Sequence, residues 1–288
     1  MVGPPLLVLT KHHGAGNDFL VHLDDSGRRA FTAAEASALC DRHRGVGADG
    51  LLRATRSGRV LTMELLNADG SSAEMSGNGI RCLVQAAVDA GWVAPGLVEV
   101  DTAAGRRRVH YETGPGAGEG YARVDMGAVV LGADLVLDEP SGLEAGRAVD
   151  TGNPHLVLLL DGPPTDGVVE GTGGRLSRSV PGEANVEFVW RADGPGVLAM
   201  RVFERGVGQT LACGTGTCAV AAAAAAWGIA GRSVLVRNPG GTLEVELRDD
   251  GGATLGGPTV SVARLEVDED VLAALVADVA GSEVTATR

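Results

Sequence analysis

Hydrophobic and polar positions alternate along much of the chain in short runs rich in β-branched and apolar residues. Gly, Pro or Asp separates one run from the next, which is typical of strands joined by tight turns. The pattern therefore predicts a protein dominated by β-sheet. The predicted strands cover residues 61–66, 97–101, 107–111, 121–126, 156–160, 186–190, 198–203, 233–236 and 243–247.

Two segments have the pattern of helices that lie at a surface. Residues 32–42 begin with Thr32 and Glu35, which have the spacing of a capping box. Residues 268–279 are amphipathic with a helical period. Both segments are predicted as helices that cover a core with one face.

Two other helical segments, residues 80–90 and 217–227, are apolar nearly all round. Each is followed by a glycine suited to a helix C-cap, Gly91 in the first case and Gly228 in the second. A helix without a polar face has to be buried. Two such helices among many strands predict two modules, each with a sheet wrapped around its own central helix.

The chain also contains an internal repeat. Residues 16–21 resemble residues 152–157, at an offset of 136 residues. Residues 76–79 (Ser-Gly-Asn-Gly) resemble residues 213–216 (Cys-Gly-Thr-Gly), at an offset of 137, and the strands before them align without a gap. Two matches at nearly one offset indicate a duplication.

The predicted fold class is therefore α/β, of the α+β type, with two pseudo-symmetric duplicated domains. Each domain is expected to be a β-sheet wrapped around a central buried helix. We assign residues 1–130, completed by 263–288, to the N-terminal domain and residues 131–262 to the C-terminal domain.

Composition excludes several classes of function. The formal net charge of −13 argues against nucleic-acid binding, which needs a basic surface. No apolar run approaches the roughly 20 residues that span a bilayer, so no membrane partner is expected. The first ten residues lack the basic and small-residue features of a signal peptide. A cytoplasmic protein with reduced thiols is the expectation.

The candidate chemistry lies at the repeated motif. In each copy a side chain of a reactive type, Ser76 or Cys213, precedes Gly-x-Gly and a buried helix. The unsatisfied N–H groups and the dipole at a helix N-terminus attract a carboxylate. The same positive end would lower the pKa of a thiol, so Cys213 is predicted to be a thiolate base. Cys40, Cys82 and Cys218 are interpreted as core residues.

If the two loops face each other, they would hold one substrate carboxylate between two helix N-termini. Ser76 and Cys213 would then flank its α-carbon from opposite sides, an arrangement that suits inversion of a stereocentre by proton transfer. The single lysine, Lys11, lies on an N-terminal strand and does not suit pyridoxal phosphate. No cysteine pair has zinc-site spacing. We therefore expect neither a cofactor nor a metal.

The motifs resemble those of the diaminopimelate epimerase family, in order, from about residue 9 to about residue 265. They are residues 11–19 (KHHGAGNDF), 67–71 (NADGS), 74–82 (EMSGNGIRC), 152–155 (GNPH), 185–188 (NVEF), 204–206 (ERG) and 212–216 (ACGTG). The resemblance implies two α/β domains without cofactor or metal. It also implies conversion of LL-2,6-diaminopimelate to the meso form, for lysine and peptidoglycan synthesis, by a homodimer.

The resemblance also implies roles for residues at matching positions. Cys213 resembles one of two catalytic cysteines, and Asn17 a residue that lines the reacting end. The backbone donors that hold the reacting carboxylate correspond to Gly77, Asn78, Gly214 and Thr215. The polar set that recognises the substrate corresponds to Asn67, Asn153, Asn185, Glu204 and Arg205. Read without the family, each asparagine is also a common turn residue, and Glu204 and Arg205 could form a surface ion pair.

Ser76 departs from the family pattern, which has its other catalytic cysteine at this position. A serine hydroxyl is a far weaker acid than a thiol and supplies almost no base at neutral pH. Three explanations stand: an engineered substitution, a natural Ser/Cys pair that acts on diaminopimelate or on a different amino acid, and a relative that only binds its ligand. A related cofactor-independent racemase or isomerase is the alternative function.

Overall fold

A computed structural model describes residues 6–137 and 140–286, with side chains described as far as residue 278. Strands dominate the described chain, as the sequence pattern predicts. The strands are, in chain order from β1 to β16, Leu6–Gly14, Asn17–Leu23, Gly50–Ser57, Val60–Asn67, Gly96–Thr102, Gly105–Thr113, Glu119–Ala128, Val130–Asp134, Leu143–Asp150, Pro154–Leu160, Asn185–Arg191, Val197–Glu204, Gly208–Thr210, Ser233–Asn238, Gly241–Leu247 and Gly252–Asp268.

Helices are fewer. They are, in chain order from α1 to α6, Ala33–Cys40, Gly77–Asp89, Asp166–Val168, Gly174–Ser177, Gly214–Ala226 and Glu269–Ala286, with a π-helical turn at Val169–Gly173. The four predicted helices are confirmed as α1, α2, α5 and α6. The capping box at the start of α1 is also confirmed, since Thr32 and Glu35 bond each other's backbone N–H groups.

The chain forms two compact units. Of the described residues, the first contains 6–14, 18–121 and 259–286, and the second contains 15–17, 122–137 and 140–258. The sequence prediction placed these boundaries at 130/131 and 262/263. Residues 15–17 join the second unit although the chain on both sides of them belongs to the first.

In the first unit, strands β1 to β7 follow one another in the sheet. β1 also pairs antiparallel with residues 260–268 of β16, and the Ser261 N–H bonds the Gly118 carbonyl just before β7. The sheet therefore curves back on itself. Two parallel pairs, β2–β3 and β4–β5, are joined through α1 and α2 respectively, as parallel strands require a crossover.

Helix α2 is the core of this unit. It contacts β1, β3, β4 and β6, and its residues from Gly77 to Ala87 are all buried. Burying a side chain such as Leu83 or Ile80 contributes about 1.5–3 kcal/mol. Helix α1 packs separately against α6 and the outer surface of the sheet.

The second unit repeats this plan. Its strands follow the order β16, β15, β14, β12, β11, β10, β9, β8, with β13 paired to β12. The parallel pairs are now β10–β11 and β12–β14. Helix α5 connects the second of these pairs and contacts β9, β10, β11, β14 and β15, and its residues from Gly216 to Ala224 are buried. The predicted fold, a mixed α/β protein with a sheet around one buried helix in each duplicated half, is confirmed.

Candidate active site

The two copies of the repeated motif have the same local geometry. Helices α2 and α5 are each 13 residues long, with Ser76 and Cys213 as their N-caps. Ser76 Oγ accepts a hydrogen bond from the Gly79 N–H at 3.0 Å, and Cys213 Sγ accepts one from the Gly216 N–H at 3.3 Å. Ser76 therefore occupies, in the first copy of the motif, the position that Cys213 occupies in the second, and it makes the same backbone hydrogen bond.

The helix starts leave donors for a ligand. Intrahelical bonding begins with Ile80 N–H to Ser76 O and Thr217 N–H to Cys213 O. The helices therefore offer no carbonyl partner to the preceding N–H groups of Gly77 and Gly214. Partial positive charge gathers at these ends, which favours a carboxylate there. The backbone donors predicted from the family lie at these two positions.

A buried arginine supports the first loop. Arg81 is fully buried, and its guanidinium donates to the Gly77 carbonyl at 3.0 Å and to Asn78 Oδ1 at 2.8 Å. Sequence reasoning missed this residue. The available signal was a single cation in a helix that was otherwise predicted to be buried.

The other predicted residue of the first unit, Asn67, ends β4. Its backbone N–H bonds the Ser71 carbonyl, and its side-chain amide donates to Ser71 Oγ at 3.0 Å. Asn67 therefore forms a turn, as expected if the asparagine is read as a common turn residue. Asn67 remains half-buried.

Asn17 clusters with the second unit. The preceding residues Ala15 and Gly16 have positive φ angles of 52° and 83°. A Cβ on Gly16 would lie 3.0 Å from Leu211 Cδ1, so this segment packs directly on the residue two positions before Cys213. Asn17, the next residue after Gly16, therefore follows a segment that packs against the residues just before the thiol.

Predicted residues of the second unit lie around Cys213. Asn185 Nδ2 lies 3.9 Å from Sγ, and Thr215 Oγ1 lies 3.4 Å from it. Asn185 Oδ1 accepts from the backbone N–H of Arg205 at 3.0 Å. Glu204 accepts from Thr210, and its charge acts on the thiol of Cys213.

Glu204 and Arg205 do not form the surface ion pair that the sequence allowed. Glu204 bonds Thr210 on the adjoining strand, whereas Arg205 donates its Nη1 to the Gly182 carbonyl at 2.7 Å. Glu204 is the last residue of β12 and Arg205 begins the turn after it, and the two side chains bond different partners.

The surroundings of Cys213 in the structure oppose the thiolate that the sequence predicts. Burial, followed by the charges of Glu204 and Glu187, raises the pKa of the thiol well above its usual range. The Thr215 hydroxyl and the Gly216 N–H lower the pKa but are weaker. Burial raises the pKa of Cys40 and of Cys82 to about 12, which agrees with their interpretation as core residues.

Behind the thiol lies a polar chain that begins at a predicted residue. Asn153 Oδ1 is 3.1 Å from His155 Nε2, and His155 Nδ1 is 2.7 Å from Glu187 Oε1. His155 and Glu187 are fully buried, so His155 is a hydrogen-bonding residue of the protein interior. Glu187 was not predicted as a site residue, although an acid within the apolar run of β11 is a signal of a buried charge.

Two structural absences concern other kinds of site. Among the described residues, no group of three or more His, Cys, Asp or Glu side chains is arranged to hold a metal ion. Within the same part of the chain, no helix is long and apolar enough to cross a membrane.

Comparison with known proteins gives the same family as the motifs. Residues 9–132 and 147–262 match the family model described as diaminopimelate epimerase. The chain is 40% identical over 275 residues to the diaminopimelate epimerase of Thermobifida fusca, covering 89% of this chain and 96% of that one. It is 41% identical over 278 residues to that of Desulforudis audaxviator, covering 88% and 96%.

The fold is shared more widely. A hydroxyproline epimerase from Agrobacterium vitis superimposes with a TM-score of 0.67 at 17% sequence identity, covering 91% of this chain and 92% of that one. At that identity the likeness concerns the fold alone. The matched residues of the family model include both copies of the repeated motif and the polar residues around them. The chain belongs to the diaminopimelate epimerase family, a family of isomerases.

Proposed function

We propose that this protein epimerises LL-2,6-diaminopimelate to the meso form without a cofactor. One observation carries the proposal: Ser76 and Cys213 occupy equivalent N-cap positions in two copies of one motif, each accepting from the glycine N–H three residues on. Family membership supports the substrate. By the same resemblance, the protein would act as a homodimer in the cytoplasm, in lysine and peptidoglycan precursor synthesis.

In the proposed reaction the α-carbon–hydrogen bond breaks and its electron pair stays on the α-carbon. One half-site takes the proton, and the other delivers a proton to the opposite face. The backbone donors of Gly77, Asn78, Gly214 and Thr215 would bind the reacting carboxylate and stabilise the charge that develops. Asn17 would line the reacting end. The distal recognition set would be Asn67, Asn153, Asn185, Glu204 and Arg205.

Ser76 makes the first half-site the weaker one. A neutral hydroxyl can deliver or relay a proton but is not a base at neutral pH. Cys213 is protonated in the free protein, because burial and two carboxylates raise its pKa. The proposed wild-type enzyme therefore turns over slowly, with Cys213 as the only group that gains appreciable basicity as pH rises.

Substituting Ser76→Cys tests this function. The Gly79 N–H already points at position 76, and Cys213 shows that a thiol fits this geometry in the second copy. We expect the rate of conversion between LL- and meso-diaminopimelate to rise by about 100-fold or more, as general acid–base groups contribute about that much. Ser76→Ala, which has neither a hydroxyl nor a thiol at this position, is the matched control.

No gain with either diaminopimelate isomer would contradict the proposal. Solvent deuterium exchange into another amino acid, without exchange into diaminopimelate, would instead favour a related racemase that uses a Ser/Cys pair. Thermal stabilisation by diaminopimelate without exchange, even after Ser76→Cys, would favour a binding protein.

A further inference from the structure

Glu187 is buried in a place where an isolated carboxylate would be costly. Its side chain is fully buried on β11, and its Oε2 makes no hydrogen bond with any described residue. A buried charge requires a partner of opposite sign. His155 Nδ1, at 2.7 Å from Oε1, is the nearest group that can supply one.

Both ring nitrogens of His155 face oxygens that act as acceptors. Nδ1 faces the Glu187 carboxylate, and Nε2 faces Asn153 Oδ1 at 3.1 Å. Asn153 Oδ1 can only accept a hydrogen bond, so Nε2 carries the N–H that donates to it. Nδ1 and Glu187 Oε1 share a second proton across their 2.7 Å contact.

This donation decides which end of the Asn153 carboxamide is available to a ligand. Oδ1 accepts from His155 and also from Thr151 Oγ1 at 3.2 Å, so it is held toward the protein. The NH2 group, at the opposite end of the amide, then faces away from His155. A half-buried Asn153 in this orientation offers N–H donors, which recognise an oxygen acceptor such as a carboxylate.

We propose that Glu187 is a positioning residue that acts through His155 to orient Asn153, so that this half-site presents an amide donor to a ligand carboxylate. The inference rests on the proposed function for the identity of that ligand. Other titratable groups lie in the same cluster: Glu204, which senses the charges of Glu187 and His155, and Cys213, which senses both glutamates.

The first test reads the ring nitrogens directly and needs no ligand. In a long-range proton–nitrogen correlation spectrum of the full-length protein, His155 should carry a proton on Nε2, the nitrogen that faces Asn153 Oδ1. In Glu187→Gln this proton should move to Nδ1 and leave Nε2 bare. His12 is an internal control: it is buried beside an amide and a hydroxyl, Gln85 and Thr10, and its ring signals should be the same in both proteins. An unprotonated Nε2 in the wild type, or a protonated Nε2 in Glu187→Gln, would overturn the proposal.

The second test measures the Kd for LL-2,6-diaminopimelate. Asn153→Asp keeps an acceptor for His155 but removes the donor, and we expect the Kd to rise at least about tenfold. Glu187→Gln frees the amide to turn and should raise the Kd by about tenfold, whereas the exposed Glu170→Gln should leave it unchanged. Wild-type affinity in a folded Glu187→Gln protein would overturn the role of Glu187. If the wild type itself fails to bind, the proposed function fails, while the ring-nitrogen spectra still decide the proton state of His155.

Discussion

At the scale of single residues, the chemistry of Cys213 depends on its tertiary neighbours more than on its helix. A helix N-terminus and the Gly216 N–H both favour a thiolate. The buried site and the carboxylates of Glu204 and Glu187 oppose them, and the balance favours the neutral thiol. The local argument failed because both glutamates come from strands that the chain reaches well before α5.

A pH-dependent labelling experiment follows from this balance. Because the folded pKa of Cys213 is raised, the thiolate fraction is negligible at pH 7 and grows only as pH rises past the usual thiol range. Alkylation of Cys213 by iodoacetamide should therefore still accelerate above pH 9. Glu204→Gln removes the largest charge that raises the pKa, and it should shift the rate–pH curve to lower pH.

Peptide-resolved mass spectrometry separates Cys213 from the other three cysteines, and Glu170→Gln, at an exposed position, serves as the matched control. Alkylation of wild-type Cys213 at pH 7 as fast as that of free cysteine would show that the thiolate is the resting form. An unshifted curve in Glu204→Gln would show that this carboxylate does not control the thiol.

At the scale of elements, the repeated motif depends on glycine for steric reasons that differ between the two copies. A Cβ on Gly79 would lie 3.1 Å from Ser76 Cβ, which is tight contact with a side chain at the surface of the helix start. A Cβ on Gly216 would lie 2.4 Å from Glu187 Oε1. That carboxylate is held by His155 and has no space into which to move.

Gly216→Ala should therefore destabilise the protein more than Gly79→Ala. We expect Gly216→Ala to lower the free energy of unfolding by roughly 1–3 kcal/mol, the usual cost of overpacking a core. Gly171→Ala is the control, since it lies in a helical turn with nothing within 4 Å of its added Cβ and should be neutral or slightly stabilising. Urea unfolding of the three variants measures this, and equal stability of Gly216→Ala and wild type would show that Glu187 is not held rigidly.

The elements that the sequence predicted are those with a clear period. Strands such as β10 and β11 consist of apolar runs with turn residues on both sides, and α2 and α5 are buried over most of their length. The segment from Asp166 to Ser177 was not predicted as helical, since its four glycines give it low helix propensity. Strand β8 was also missed, because all its residues are exposed and show no alternation.

The candidate site was predictable to the extent that it is a local pattern. The two Gly-x-Gly loops and their caps were found by the repeat alone, and the structure gives them matching hydrogen bonds. Arg81 and Glu187 were not found as site residues, for different reasons. Arg81 braces the loop that precedes it in its own helix, whereas Glu187 reaches Gly216 from a different strand.

At the scale of the whole molecule, the two duplicated halves have similar loops but different buried charged groups next to them. A guanidinium lies behind the first loop, and a carboxylate paired with a histidine lies behind the second. An identical backbone motif therefore surrounds groups with different acid–base behaviour. Proton exchange at each of the two half-sites can therefore be studied separately by substituting Ser76 or Cys213.

Proton exchange without inversion tests that separation. Suppose that each half-site serves one face of the α-carbon. The wild type should then incorporate solvent deuterium, through Cys213, into only one of LL- and meso-diaminopimelate. This exchange should be faster at higher pH, because the pKa of the Cys213 thiol is raised. The double variant Ser76→Cys with Cys213→Ser should exchange the other isomer. Ser76→Cys alone should exchange both and invert them, and Cys213→Ser alone should exchange neither. Nuclear magnetic resonance of the two isomers in deuterated water distinguishes these patterns. Exchange of the same isomer by the wild type and by the double variant would show that the two half-sites do not each act on one face of the α-carbon.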